Sequence, residues 1–76
     1  MNRETLFEHL VEAARHADES ERRIAKQEAL IADLAQKGLD TTEANAVLAI
    51  FRDTQMVHLQ DVARLVRDIE RSRGPV

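Results

Sequence analysis

Seventy-six residues allow at most one domain, and a chain this short has so little interior that its stability depends on some added staple. Without cysteine there is no disulfide and no Cys-based zinc site, and three scattered histidines (His9, His16 and His58) make no evident metal centre, which leaves oligomerisation. The 14 acids and 11 bases are spread evenly, eight and six in residues 1–37 and six and five in 38–76, so no basic arm steers the chain to nucleic acid or to an anionic membrane.

No apolar run approaches the ~20 residues needed to cross a bilayer. The opening Met1-Asn2-Arg3-Glu4 is polar, with no signal-peptide core behind it, so a soluble cytoplasmic protein is expected. Two phenylalanines and no tryptophan or tyrosine, against abundant alanine, leucine, glutamate and arginine, are the vocabulary of long helices and coiled coils. It suits a ligand pocket poorly, so no cofactor and no small-molecule substrate are expected.

The first helix is expected over residues 3–37, with Asn2 as N-cap and Glu4 in the first turn. Its apolar seam reads Leu6, Leu10, Ala13, Ala17, Ser20, Ile24, Gln27, Ile31, Leu34, in steps alternating 4 and 3, the spacing of one narrow helical stripe. Phe7, Val11 and Ala14 widen it at the start, Ala25 and Leu30 towards the end. Asp18–Arg22, Glu19–Arg23 and Asp33–Lys37 each place an acid four residues before a base, the favourable order.

The turn is expected over residues 38–41. Gly38 can take the left-handed conformation at C′, with Leu39 at C″ able to pack back on Leu34. Asp40 or Thr41 can cap the next helix, and Asp40 with Glu43 has the spacing of a capping box. A connection this short makes the two helices antiparallel neighbours.

The second helix is expected over residues 42–71, with a seam of Ala44, Leu48, Phe51, Gln55, His58, Val62, Leu65, Ile69, broadened by Val47, Leu59 and Val66. Residues 72–76 lose the pattern and should fray. Folding about residue 39 or 40 places Ile31 opposite Leu48, Gln27 near Phe51, Ile24 near Gln55, Ser20 near His58, Ala13 opposite Leu65 and Leu10 opposite Ile69.

The fold class is therefore all-α, an antiparallel two-helix hairpin filling residues 1–76 as one domain. Its expected core and interface are Leu10, Ile24, Gln27, Ile31, Leu48, Phe51, Gln55, His58, Val62, Leu65 and Ile69. Phe7, Val11, Val47, Ile50, Val57, Leu59 and Val66 cannot all be covered within one hairpin, and an apolar strip of that length marks an interaction surface. A second copy covers it most simply, giving a homodimeric four-helix bundle, with a partner protein's helix in the groove as the other possible occupant.

The chemistry on offer is slight. Glu8, Glu12 and His16 share a helix face beside His9, but the second helix adds only His58 and Asp61, and a solvated face explains them better than a metal. Ser20, Gln27, Gln55 and His58 in the seam read as polar residues that set register, with Gln27 and Gln55 able to bond across a dimer axis. A buried neutral His58 would make assembly pH-sensitive. Arg15, Arg22, Arg23 and Lys26 on one helix and Arg64, Arg67 and Arg71 on the other could contact RNA or DNA, as in small dimeric hairpin regulators. Every one of them, however, has an acid within a helical turn. No phosphate loop, nucleophile elbow or triad is present, so no enzyme activity is expected.

The segments Glu12-Ala13-Ala14-Arg15-His16, Ile24-Ala25-Lys26-Gln27, Leu30-Ile31-Ala32-Asp33-Leu34, Gly38-Leu39-Asp40-Thr41, Ala44-Asn45-Ala46-Val47-Leu48, Phe51 and Gln55-Met56-Val57-His58 resemble short bacterial helical-hairpin proteins of unknown function. The resemblance spans roughly residues 9–66, implies the hairpin and implies no activity. The expected role is a non-catalytic scaffold or protein–protein interaction module. The alternative is a small regulator that binds RNA or DNA through its surface arginines.

Overall fold

A computed structural model describes residues 2–73; Met1 and residues 74–76, most of the tail expected to fray, lie outside the described residues. Two helices, α1 (Arg3–Gln36) and α2 (Thr42–Ser72), pack side by side as an antiparallel hairpin. The molecule is a rod of 63 × 14 × 14 Å with a radius of gyration of 17.5 Å, where a compact chain of this length would have about 11 Å. Among the described residues no helix is long and apolar enough to cross a membrane.

Local chemistry explains the ends of each helix. The Asn2 side chain accepts from the Thr5 backbone N–H at 2.8 Å, satisfying one of the free donors of the first turn of α1. At the other end Gly38 has φ +72°; its N–H reaches the Ala35 carbonyl at 3.0 Å and the Leu39 N–H reaches the Leu34 carbonyl at 2.9 Å. Those two bonds make a Schellman motif with Lys37 as the C-cap, so α1 ends at Gln36, one residue short of the helix end read from sequence. The side chain of Leu39 remains largely in water.

The start of α2 is built differently from a capping box. Asp40 Oδ1 accepts from the Thr42 N–H at 3.0 Å and from the Thr42 hydroxyl at 2.7 Å, an Asx-turn, while the Asn45 amide donates to both the carbonyl and hydroxyl oxygens of Thr41. Thr42, through its N–H and its hydroxyl, takes the aspartate that a capping box would have turned to Glu43. At the far end α2 continues through Ser72, whose hydroxyl donates to the Ile69 carbonyl at 2.6 Å.

The core follows the seam. Leu6, Ala13, Leu65 and Ile69 form its densest cluster, with Leu10 and Val62 packed against it, and Ala17, Ser20 and Leu48 extend the buried line towards the turn. Leu65 is 2% exposed and Ser20 4%. Ile24, Gln27, Ile31 and Leu34 on α1, with Ala44, Phe51, Gln55 and His58 on α2, are only half-buried. Two helices can enclose one line of side chains and no more. The chain accordingly exposes 5814 Å², some 1,100 Å² beyond the about 4,700 Å² of a compact monomer of this mass.

Candidate interaction surface

Residues seven apart fall on one line along each helix, and the lines flanking the seam define the two broad faces of the hairpin. On one face Phe7, Ala14, Glu21 and Glu28 of α1 run beside Arg52, Leu59 and Val66 of α2. Phe7 and Val66 line one hollow there, and Glu28 bonds Arg52 across the helices at 3.1 Å. On the other face His9, His16, Arg23 and Leu30 run beside Val47, Thr54, Asp61 and Asp68, with His9, His16 and Asp61 around a second hollow. We call these the Phe7 face and the His16 face.

The apolar residues outside the core are not one strip, as the sequence suggested, but two patches on opposite faces. The Phe7 face carries Phe7, Val11, Met56, Leu59 and Val66, with the exposed Ala14 and Ala63 between them; Val11 is 70% exposed and Leu59 53%. This block reaches from the open end of the hairpin almost to its middle and draws on both helices; beside Leu59 and Met56, α1 presents Asp18 and Glu21. Arg3, lying over the Phe7 ring at 5.5 Å, and Glu70 border it at the tip. The second patch, Leu30, Val47, Ile50 and Val57, lies on the His16 face nearer the turn, mostly on α2, beside Arg23 and Lys26. Met56 and Ala63 were not singled out from sequence; their seven-residue spacing, on the line next to Leu59 and Val66, is the signal that assigns them.

The charged groups are largely consumed within the hairpin. Asp18–Arg22 and Asp33–Lys37 form at 2.9 Å each. Glu19 does not pair with Arg23: it bonds Arg15 at 3.2 Å, while the Arg23 guanidinium lies over the Phe51 ring at 5.7 Å. An arginine that can cover a half-buried aromatic gains contact there that an exposed ion pair does not provide. Arg15 also bonds Glu12, and that hydrogen bond, followed by the attraction of Glu12 and Glu19, raises its pKa further above the ordinary arginine value. Arg64 is raised in the same way, first by its hydrogen bond to Asp61. Arg71 reaches Asp68 at 3.8 Å. Of the bases weighed for nucleic acid, Arg23, Lys26 and Arg67 make no ion pair among the described residues.

The histidines sit on the face opposite the larger apolar block. His16 Nε2 lies 3.6 Å from Glu12 Oε1, and its ring meets the His58 ring edge-on with centroids 5.8 Å apart, so His58 faces His16 as well as the seam. Among the described residues no three His, Asp or Glu side chains gather as a metal site would require.

The expected core residues divide by depth. Leu48, Leu65 and Ile69 are buried; Leu10, Ile24, Ile31, Phe51, His58, Val62 and the two glutamines are half-buried. Gln27 Nε2 donates to the Ala44 carbonyl at 2.9 Å, two turns nearer the hairpin turn than Phe51, its expected neighbour. A helical carbonyl keeps a second lone pair after its own ladder bond, and that is the nearest acceptor a seam amide can find. Gln55 Oε1 is enclosed and has no donor among the described residues. No protein-family model, curated protein or solved structure matches the chain.

Proposed function

We propose that this chain is a non-catalytic self-association module, two copies burying their Phe7 faces to complete an antiparallel four-helix bundle. The observation that carries the reading is the apolar block from Phe7 to Leu59, spread over both helices outside the core. The area supports it too. The excess surface of about 1,100 Å² per chain is close to the ~800 Å² each partner gives to a standard interface. The Phe7 face suits this role better than the patch around Ile50, which lies mostly on one helix and is edged by Arg23 and Lys26.

Sedimentation equilibrium tests it. The expected mass is twice 8.6 kDa. Leu59→Glu should return the protein to a monomer, whereas Ile50→Glu should leave the dimer intact. A wild-type mass of 8.6 kDa that persists at about 1 mM, where even an association of −4 kcal/mol would show, would overturn the reading. The apolar block would then belong to a different partner.

A further inference from the structure

Away from the Phe7 block, the turn half of the His16 face holds the second apolar patch. Ile50 and Val57, each 62% exposed, stand seven residues apart on the outer line of α2, while Val47 and Leu30 lie on the two lines that flank the groove between the helices. On these two lines of α2, from Val47 to Val57, only Thr54 is polar. The rise from Val47 to Val57 is about 15 Å at ~1.5 Å per residue, which accommodates roughly three turns of another helix.

Charge is placed on one side of this patch. α1 edges it with Arg23 and Lys26, on the same flank as Leu30. Neither base makes an ion pair among the described residues, and the Arg23 guanidinium is drawn towards α2 by the Phe51 ring, 5.7 Å from its centroid. The acids of this half are committed or lie off the patch. Asp33 holds Lys37 at 2.9 Å, Glu19 holds Arg15 at 3.2 Å, and Glu28 holds Arg52 on the Phe7 face. Glu43 stands in the first turn of α2, beyond Val47, and Asp53 is on the back of α2, opposite the seam. Were two copies to meet through this patch, the contact would enclose four unpaired bases and no free acid from within it. A different molecule that brings its own carboxylates fits the site better.

We propose that the patch docks an amphipathic helix of another protein. Aliphatic side chains of that helix, at the i, i+3 or i+4, and i+7 spacing, pack on Val47, Ile50, Val57 and Leu30, and aspartates or glutamates on one flank meet Arg23 and Lys26. The apolar contact supplies the affinity, and the two cations set which way round the partner lies and which partners are refused. The site is on the face opposite the Phe7 block, so docking there does not rest on self-association and does not compete with it.

The test is a heteronuclear NMR titration of the full chain with two synthetic helical peptides of about 14 residues, close to four turns. Both carry leucines at i, i+3, i+4 and i+7; one has glutamates along a flank and the other lysines at the same positions. The glutamate peptide should shift the amides of residues 23–30 and 47–57 and bind the tighter of the two. Arg23→Glu with Lys26→Glu should weaken it roughly five- to tenfold and reverse the preference; Lys26→Glu alone, which breaks no contact within the hairpin, should weaken it about two- to threefold. Ile50→Glu should abolish binding while leaving the sedimentation mass of the protein unchanged. Equal affinity for the two peptides, no binding of the glutamate peptide, or shifts centred on Phe7 and Leu59 would each overturn the docking site. The sedimentation mass reads self-association separately, so either proposal can fail alone.

Discussion

Replacing Gln55 by leucine should stabilise this protein. Gln55 Oε1 is enclosed in the seam without a donor, and a buried polar atom left unpaired costs about 1–3 kcal/mol relative to the same atom in water. The residue as a whole is only half-buried, so the lower part of that range applies, about 1–2 kcal/mol regained per chain. Glutamine and leucine have nearly equal helix propensity, so the change is not obscured by a backbone term. In a unit this small each kcal/mol moves the melting temperature by about 4–8 °C, read by circular dichroism at matched protein concentration because association shifts Tm. Gln27→Leu is the control. Gln27 spends its amide on the Ala44 carbonyl at 2.9 Å, so the leucine forfeits about 0.5–1.5 kcal/mol and should melt at or below wild type. If Gln55→Leu melted no higher than wild type, Oε1 would have to find a donor in the assembled protein. The cost reasoned from a single hairpin would then be refuted, and Gln55 would lie on the interface.

Three further perturbations address the hairpin itself. Leu65→Ala empties the most deeply buried position and should cost about 2–5 kcal/mol in urea unfolding, most of the stability of a unit this size. Gly38→Ala meets no steric neighbour but must hold φ +72°, so it should cost about 1–2 kcal/mol through backbone strain alone; Gly38→Asn should cost less. The Asp40 carboxyl is held below its usual pKa, first by the Thr42 hydroxyl and then by the Thr42 N–H. Its contribution is therefore fully present above the ordinary aspartate value of about 3.9 and fades as pH falls through the lower folded value. The stability gap between wild type and Asp40→Ala, followed by thermal melts from pH 7 to pH 2, should narrow only in that acid window.

The line of the core was readable because helical periodicity is a one-dimensional signal. Every residue on the alternating 4 and 3 steps, from Leu6 to Leu34 and from Ala44 to Ile69, is buried or half-buried in the hairpin. The turn was readable because Gly38 carries its conformation in its own chemistry. Asp18–Arg22 and Asp33–Lys37 formed as read, but other choices between near-equal partners escaped. Glu19 could bond Arg15 or Arg23, Asp40 could take Thr42 or leave its acceptor to a box with Glu43, and Gln27 could meet Phe51 or reach the Ala44 carbonyl. Each pair of options lies within a kcal/mol or so, and a side chain of several rotatable bonds settles it by reach across the neighbouring helix, which periodicity does not encode.

The candidate site was legible in composition and not in layout, for a related reason. A list of apolar residues beyond the seam contains Phe7, Val11, Leu59 and Val66 alongside Ile50 and Val57 without saying that the first four share a face and the last two lie on the other. Assigning faces requires knowing which flank of α1 meets which flank of α2. In an antiparallel hairpin that pairing follows once the turn is placed: Phe7 joins Val66, Glu28 joins Arg52, and His16 goes to the opposite side with Asp61. The consequence is a molecule whose two faces differ in kind. One has its histidines and most of its ion pairs knitted within the chain, near the open end, where a second copy would gain little. The other has apolar surface at that same end and charges that alternate in sign between the helices further along. Under the self-association proposed above, it is this second face that a mate would cover, while the first keeps its paired charges in water.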